Sequence, residues 1–286
     1  MPSADRDQST DHAAAVARVA AVFDRVAHTY DSVGVPWFAP IAEHLVASAG
    51  PTAGERALDI GCGRGAALFP LGAAVGPTGR VLGVDVSSRM VEATRADVVA
   101  RGLGNVAVQV GDASQLRLPD PPFDLAVASL VLFFLPDPTA ALRSWRECLL
   151  PGGRLAVSTF GDRDPVLRAV DEVFNPFLPP QMLDARTSGA KGPFGSDAGM
   201  TELFTGGGFA EVEHQMIDVE LQFESPAQWA VWSRSHGQRA MWDAVPESAR
   251  SELEGAVDSL LERHRGPDGL IRMGQRVRLT TAVAPG

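Results

Sequence analysis

Several features that mark particular classes of protein are scarce in this chain. Only two of the 286 residues are cysteine, Cys62 and Cys148, and they lack metal-ligand spacing and fit a reducing compartment. The longest apolar run, residues 125–135, is too short to span a bilayer. The polar N-terminus has neither the basic start nor the apolar core of a signal peptide. We therefore expect a cytoplasmic protein with no membrane partner.

Basic charge is also scarce, with 25 basic residues against 35 acidic ones and a net charge of −10. An acidic chain without a basic stripe is a poor candidate for nucleic-acid binding, and the densest basic cluster, residues 263–265, fits a solvated helix face. Lysine occurs once, at Lys191, which is typical of a high-GC bacterial genome. We expect a small-molecule partner and no nucleic acid; monomer and homodimer remain open.

Strands and helices alternate through the first half of the chain. Short apolar strands are predicted at residues 56–60, 80–84, 106–110, 123–130 and 154–160, and helices at 13–27, 40–49, 66–75, 87–101 and 140–150. This succession predicts a parallel sheet with helices on both faces. The second half predicts helices at 164–174, 200–205, from Ser225 onward and at 247–265, an irregular loop at 175–194, and antiparallel strands at 209–223 and 276–283.

These elements predict one domain after a short disordered tail. The tail covers residues 1–12 and the domain residues 13–286. Within the domain we expect an N-terminal helical lid at 13–49, a core at 53–161, a capping region with one core strand at 162–265 and a C-terminal strand at 266–286.

A glycine-rich turn, residues 59–65 (DIGCGRG), follows the first predicted strand and opens a helix. Its glycines allow a tight turn and the close approach of a ligand, and the helix start offers free N–H groups to an anion. Residues 61–66 also fit the dinucleotide fingerprint in its alanine variant. A turn without any ligand is the third interpretation.

Two acidic residues at the ends of later strands help to distinguish between these interpretations of the glycine-rich turn. Asp85 ends the second strand, where a carboxylate can accept both hydroxyls of a ribose. Asp112 follows the third strand, where it can accept from an adenine amino group. Dinucleotide enzymes use the first acid and do not need the second.

In this order and spacing the motifs, together with residues 150–155 (LPGGRL), resemble those of class I S-adenosylmethionine-dependent methyltransferases. The resemblance covers residues 13–160. It implies an α/β fold with a Rossmann-like, seven-stranded, mostly parallel sheet whose last strand is antiparallel, with helical substrate-capping additions. It also implies S-adenosylmethionine as cofactor and S-adenosylhomocysteine as product.

The resemblance further implies a role for each motif residue. The glycines would face the methionine moiety, with Asp59 near its ammonium and Ser129 near its end. Asp85 would bind the ribose, while Met90, Asp112 and Ala113 would bind adenine. The full cofactor-binding set is Tyr30, Asp59, Gly61, Cys62, Gly63, Gly65, Asp85, Val86, Met90, Asp112, Ala113 and Ser129.

Residues 23–31 (FDRVAHTYD) are similar to the start of the ubiquinone/menaquinone-biosynthesis C-methyltransferases and their small-molecule relatives. In such enzymes this segment folds over the cofactor, which implies a cofactor contact for Tyr30. Residues 33–46 and the C-terminus depart from the quinone enzymes. The expected acceptor is therefore another small molecule of bacterial specialised metabolism, methylated on oxygen or carbon.

Methyl transfer requires a general base only if the acceptor must lose a proton. The position after the fourth strand reads SLVLFF (129–134), not the Asn/Asp-Pro-Pro-aromatic stretch of nucleobase or protein-amide N-methyltransferases. Trp229, Trp232 and His236 follow helical spacing. They form either a packing stripe or a lid that binds an apolar acceptor, with His236 as a candidate base. His28, beside Tyr30, is a second candidate, and a structural role remains open for both histidines.

Two alternatives remain beside methyl transfer. A methyltransferase fold can bind the cofactor without methylating, as a cyclase does. An NAD(P)-dependent oxidoreductase is the other, although Gly65, Asp112 and the Pro151-Gly152-Gly153 turn argue against it.

Overall fold

The computed structural model describes residues 4–118, 122–183 and 192–286. Its strands are β1 (Arg56–Ile60), β2 (Arg80–Asp85), β3 (Val106–Val110), β4 (Phe123–Ser129), β5 (Leu149–Arg163), β6 (Ala210–Phe223) and β7 (Ile271–Val283). Within the described ranges they form one seven-stranded sheet in the order β3-β2-β1-β4-β5-β7-β6.

The first five strands pair in parallel, and β7 runs antiparallel to both of its neighbours, β5 and β6. This arrangement confirms the predicted Rossmann-like sheet with an antiparallel last strand. The strand order reverses between β1 and β4. In open α/β sheets ligands bind beyond the carboxyl ends of the strands at such a switch point.

Helices cover both faces of the sheet, and several begin where capping chemistry predicts. The helices are α1 (Ala4–Val26), α2 (Phe38–Ala49), α3 (Leu68–Val75), α4 (Ser88–Ala100), α5 (Pro138–Glu147), α6 (Pro165–Phe174), α7 (Asp197–Gly206), α8 (Pro226–Arg234), α9 (Arg239–Ala244) and α10 (Glu247–Arg263). Ser225 accepts a hydrogen bond from the backbone N–H of Gln228 at 3.2 Å, so its predicted N-cap role is confirmed. No helix in the described ranges has the length and apolarity needed to cross a membrane.

Several element bounds differ from the sequence predictions. Helix α1 begins at Ala4 and so covers most of the segment predicted as a tail, and His12 on this stretch bonds to Asp112. Residues 1–3 lie outside the described residues. Helix α5 ends at Glu147, and β5 begins at Leu149 because Leu149 pairs with Phe123. The predicted loop at 175–194 contains short 3₁₀ turns at Asn175–Phe177, Pro180–Leu183 and Gly192–Gly195.

A fully buried tryptophan on α5 supports the segment that follows β3. Trp145 donates a hydrogen bond from its Nε1 to the carbonyl oxygen of Ala113 at 2.7 Å. Ala113 starts a short 3₁₀ turn beside Asp112. Trp229 is equally buried, but its Nε1 has no partner among the described residues. Trp145 and Trp229 can therefore be compared by mutation, because they are equally buried and differ in whether Nε1 has a hydrogen-bond partner.

We predict that Trp145→Phe lowers the free energy of unfolding more than Trp229→Phe does. Both changes remove the same volume, but only the first leaves the half-buried carbonyl of Ala113 without its donor, which costs about 1 kcal/mol. Chemical denaturation of the two variants measures the difference directly. Equal destabilisation would show that the Trp145 hydrogen bond contributes nothing to stability.

Candidate functional site

Polar residues follow three neighbouring strands where these end at one edge of the sheet. β1 leads into the glycine turn, β2 ends at Asp85 and β4 ends at Ser129. Parallel pairing puts these carboxyl ends side by side, so the motifs that are separate in sequence lie together.

The glycine turn has the backbone geometry that its sequence predicts. Gly61, Gly63 and Gly65 all have positive φ angles, of 73°, 46° and 85°. A Cβ on Gly61 would lie 2.3 Å from a methyl group of Val131, and one on Gly65 would lie 2.4 Å from the Phe69 ring. A Cβ on Gly63 would have no neighbour within 4 Å. The middle glycine therefore faces open space that a ligand can approach.

The Asp85 carboxylate connects this turn to the next helix. Its Oδ2 accepts a hydrogen bond from the N–H of Gly63, and its Oδ1 accepts one from the N–H of Ser87, both at 2.8 Å. Burial raises the pKa of Asp85. Ser87 is the N-cap of α4 and accepts from the N–H of Met90 at 3.1 Å. A carboxylate has about four lone-pair sites, so two remain for a ligand hydroxyl pair.

Asp59 is a buried acid with an unused oxygen. It is 1% exposed, and its Oδ2 has no hydrogen-bond partner among the described residues. Burial, with the nearby charge of Asp85, raises the pKa of Asp59 to about 8. An unpaired carboxyl group in this position fits a ligand that brings a cationic group, such as an ammonium.

The end of α1 and the loop after it cover the residues that follow β2. Met90 is buried against Val26, Ala27, Phe23 and Tyr30. Burial, followed by the charges of Asp31 and Asp85, raises the pKa of Tyr30 well above its ordinary value. The structure therefore brings Tyr30 and Met90 together on the Asp85 side of the edge, as the sequence predicts.

Asp112 is the N-cap of the 3₁₀ turn after β3. It accepts from the N–H of Ser114 at 2.8 Å, and its Oδ2 lies 3.0 Å from Nε2 of His12. Burial raises the pKa of Asp112, but the hydrogen bonds from Ser114 and His12 outweigh burial and hold it below its ordinary value. His12 is a contact that sequence reasoning missed, because it lies in the segment assigned to a tail.

The end of β4 has a strained backbone. Leu130 has a φ of 58°, and its N–H donates to Oγ of Ser158 on β5 at 3.0 Å. The hydroxyl oxygens of Ser129 and Ser158 are 3.2 Å apart. A branched residue in the left-handed region is uncommon and tends to occur at functional sites. Ser158 thus fixes the backbone at Ser129 and Leu130, where the sequence predicts contact with the methionine end of the cofactor.

The remaining cofactor candidates line the same edge. Val86 is half-buried between Asp85 and Ser87, and Ala113 is half-buried beside Asp112. Cys62 is buried in the glycine turn, where burial raises the pKa of its thiol well above the ordinary value. A thiol in this state is a packing group rather than a nucleophile. No cluster of possible metal ligands occurs among the described residues.

Three side chains outside the predicted cofactor-binding set connect the turn and the start of α4 to neighbouring elements. Thr94 on α4 donates from Oγ1 to the carbonyl oxygen of Gly63 at 2.6 Å. Arg64 donates to the carbonyl oxygen of Ala27 and to Asp97, both at 2.7 Å. Asp24 accepts from the hydroxyl of Ser87 at 2.5 Å. No local sequence signal predicts these contacts, because each joins elements that are distant in the chain.

An aromatic cluster lies next to this edge. We define it as nine residues, contributed by α1, the loop and helix that follow it, the 3₁₀ turn after β4, β5, and α8 with the turn after it. The members are Phe23, Tyr30, Trp37, Phe38, Phe133, Phe134, Phe160, Trp232 and His236. Tyr30 and Phe23 belong both to this cluster and to the group packed on Met90.

Seven members of the aromatic cluster form a closed circuit of ring contacts. Centroid separations around the circuit run from 4.4 Å between Tyr30 and Phe38 to 6.2 Å between Phe23 and Tyr30. Trp232 and His236 then pack on Trp37. Such an arrangement offers apolar and aromatic surface to a ligand.

His236 is the polar member of the aromatic cluster. It is 3% exposed and packs against Trp37, Phe38 and Trp232 at centroid distances of 5.1, 5.7 and 4.5 Å. Burial lowers the pKa of His236 to about 3, so its imidazole is uncharged at neutral pH. Its Nε2 has no partner among the described residues, while Nδ1 accepts from the N–H of Gln238 at 3.4 Å.

The other predicted acceptor-side residues are placed differently. Trp232 lies in the aromatic cluster, whereas the ring contact of Trp229 is with Trp242, at 6.1 Å. His28 is exposed in the turn after α1. Of the predicted acceptor-side residues, the structure therefore places Trp232 and His236 in the aromatic cluster and leaves Trp229 and His28 outside it.

Comparison with known proteins shows which family this chain belongs to. Residues 58–157 match the family model described as "Methyltransferase domain". Nocamycin O-methyltransferase of Saccharothrix syringae is 34% identical over 85% of this chain and 90% of its own length. Aklanonic acid methyltransferase of Streptomyces sp. strain C5 is 43% identical over 57% of this chain and 71% of its own length. The chain belongs to this methyltransferase family.

The methyltransferase also resembles the quinone-pathway group that its residues 23–31 indicate. Demethylmenaquinone methyltransferase of Geobacillus kaustophilus is 34% identical over 48% of this chain and 60% of its own length. The predicted recognition of a class I S-adenosylmethionine-dependent methyltransferase is confirmed. The alternative of an NAD(P)-dependent oxidoreductase is wrong.

Likeness of fold alone does not separate methylation from other chemistry. The solved [4+2]-cyclase SpnF superimposes with a TM-score of 0.55 at 22% identity, over 86% of this methyltransferase and 81% of the cyclase. Identity this low shows the shared fold only. The sequence relatives, not the fold, carry the assignment to methyltransferases.

We predict that Asp85→Ala weakens S-adenosylhomocysteine binding by about ten- to several-hundredfold, since it removes two charge-assisted acceptors for ribose hydroxyls. We expect Asp85→Asn to lower the free energy of unfolding, because either the N–H of Gly63 or the N–H of Ser87 then faces the NH₂ group of the amide. Calorimetric titration measures the affinity.

Asp137→Ala is the matched control for Asp85. It removes the N-cap of α5, whose carboxylate accepts from the N–H of Ala140 at 2.9 Å and makes none of the proposed ligand contacts, at a cost of about 1 kcal/mol of stability. Its folded form should bind S-adenosylhomocysteine as tightly as the parent. If Asp85→Ala behaves like Asp137→Ala, the ribose assignment is wrong.

Asp59→Asn should stabilise the ligand-free protein while weakening cofactor binding. A folded pKa of about 8 lies above the unfolded value, so Asp59 lowers the free energy of unfolding as pH rises from about 4 to 8. The full difference between the folded and unfolded pKa values corresponds to about 6 kcal/mol as an upper limit. Asparagine carries no charge, and its stability advantage should grow across this pH range and level off above it.

Glu55→Gln serves as the control. Burial raises the pKa of Glu55, but hydrogen bonds from the N–H of Thr52 and the guanidinium of Arg154 outweigh burial and hold it below its ordinary value. Its contribution to stability is present above the unfolded pKa and is lost only as pH falls. Its hydrogen-bond partners include no histidine, so the effect of Glu55→Gln on stability should stay constant between about pH 5 and 8. A pH-independent effect of Asp59→Asn would contradict the buried, protonated Asp59.

Proposed function

We propose that this methyltransferase uses S-adenosylmethionine to methylate an oxygen of an aromatic or fused-ring small molecule of bacterial specialised metabolism. The observation that carries the proposal is the aromatic cluster, joined through Tyr30 and Phe23 to the residues around Met90. The printed names of the two relatives, an O-methyltransferase and a methyltransferase of an organic acid, support oxygen as the acceptor atom.

The residues at the sheet edge fit the proposed cofactor. Asp59 would meet its ammonium, the glycine turn its methionine moiety and Asp85 its ribose, while Met90 and Asp112 would hold the adenine. When bound, S-adenosylmethionine supplies a methyl group made electrophilic by its sulfonium. The protein then has to align an acceptor atom with that methyl and exclude water.

The aromatic cluster would both align the acceptor and exclude water from it. Its buried members, Trp37, Phe133, Trp232 and His236, exclude water. Its half-buried members, Phe23, Tyr30, Phe38, Phe134 and Phe160, offer partly accessible surface to a planar acceptor. These residues come from the predicted lid and capping segments as well as from the core. We propose that the two segments close over the acceptor.

Phe134→Leu should raise the KM for a planar aromatic acceptor about fivefold, because it removes stacking interactions of the order of 1 kcal/mol. Affinity for S-adenosylhomocysteine should change little. Phe177→Leu is the matched control, since Phe177 is also half-buried but lies outside the aromatic cluster. Transfer of labelled methyl to acceptor gives the kinetic constants. Equal effects of both variants would rule out the aromatic cluster as the acceptor site.

A further inference from the structure

His236 has hydrogen-bonding capacity that the protein itself does not use. Its side chain is 3% exposed and lies between three aromatic rings, and Nε2 has no partner among the described residues. Buried polar atoms in folded proteins are nearly always paired, so an unpaired one requires an explanation. A ligand group that pairs with Nε2 provides one.

The backbone at Gln238 determines which chemistry Nε2 offers. A neutral imidazole carries one proton. The N–H of Gln238 is directed at Nδ1 of His236, at 3.4 Å, so Nδ1 accepts and the proton is assigned to Nε2. Nε2–H is therefore a donor, and the same nitrogen has no lone pair with which to take a proton.

The turn that carries His236 is held by contacts with α6 and the end of β5. Gln238 donates from its side-chain amide to Asp171 on α6 at 3.0 Å, and Asp171 pairs with Arg163 at the end of β5. These bonds hold the Gln238 backbone in place, and with it the orientation of the imidazole. The donor is thus preorganised before any ligand binds.

A second unused donor lies beside the first. Nε1 of Trp37 is buried and has no partner among the described residues, and the Trp37 ring packs edge-on against His236. Indole nitrogen can only donate. A ligand that satisfies either nitrogen must bring an electron-rich atom, and an amine or other cation cannot do so.

We infer that Nε2–H of His236 binds an oxygen anion of the acceptor, a carboxylate or an acidic enol or phenol, so that the acceptor arrives already deprotonated. This inference rests on the proposed function. A lone pair of that oxygen forms the new bond to the methyl carbon while the carbon–sulfur bond breaks and its electron pair stays on sulfur. The negative charge of the acceptor oxygen and the positive charge of the sulfonium are both lost in this step, and no proton has to be removed.

Two substitutions of His236 distinguish a hydrogen-bond donor from a general base at this position. Glutamine places an amide N–H near the position of Nε2, whereas phenylalanine has no donor. In the presence of S-adenosylhomocysteine, tryptophan fluorescence should show 2-naphthoate at neutral pH, or 2-naphtholate at about pH 10 where the phenol is ionised, binding about ten- to a hundredfold more weakly to H236F than to the wild type at the same pH. H236Q should retain binding to within about threefold.

Two controls guard this comparison. His44 is exposed on α2, and H44Q should bind the oxyanion probes like the wild type. Naphthalene, which has no oxygen, should bind equally to wild type, H236Q and H236F. Preference for naphthoate over naphtholate, or the reverse, identifies the kind of oxyanion, and either supports the inference.

Three results would overturn the donor role. They are wild-type oxyanion affinity in folded H236F, equal loss of affinity in H236Q and H236F, and absence of saturable oxyanion binding to the wild type. Failure of the proposed function has a different signature. In that case the oxyanions bind as described, but labelled methyl is never transferred from S-adenosylmethionine to any acceptor.

Discussion

The bridge made by the Asp85 carboxylate is the interaction on which the candidate site depends. One oxygen holds the glycine turn through Gly63, and the other holds the start of α4 through Ser87. This bridge fixes the carboxyl edge of β1 relative to that of β2. It also puts a buried negative charge beside Asp59, which helps to keep the Asp59 carboxyl protonated until a cationic group enters.

The acceptor side is organised around the same bridge. Ser87 also bonds to Asp24, which fastens α1 to the start of α4. The end of α1 then packs on Met90 and carries Phe23 into the aromatic cluster, and Tyr30 follows in the next loop. The residues proposed for the cofactor and those proposed for the acceptor are therefore parts of one packed unit.

Sequence predicted the residues whose roles follow from local rules. Strand ends, the glycine turn and the Ser225 cap depend on neighbours in the chain, and the structure has them where the pattern indicates. The contacts of His12, Arg64 and Thr94 join distant elements, so periodicity could not reveal them. Helical spacing also could not separate Trp229 from Trp232, because their partners, Trp242 and His236, are set by tertiary packing.

The most direct test of the central claim is the fate of a labelled methyl group. Purified protein would be incubated with methyl-labelled S-adenosylmethionine and small-molecule extract of the producing cell, and the products analysed by mass spectrometry and NMR. The account predicts an aromatic product with the label in an O-methyl group, together with S-adenosylhomocysteine. A product that is rearranged but unlabelled would contradict it and would favour the cyclase alternative.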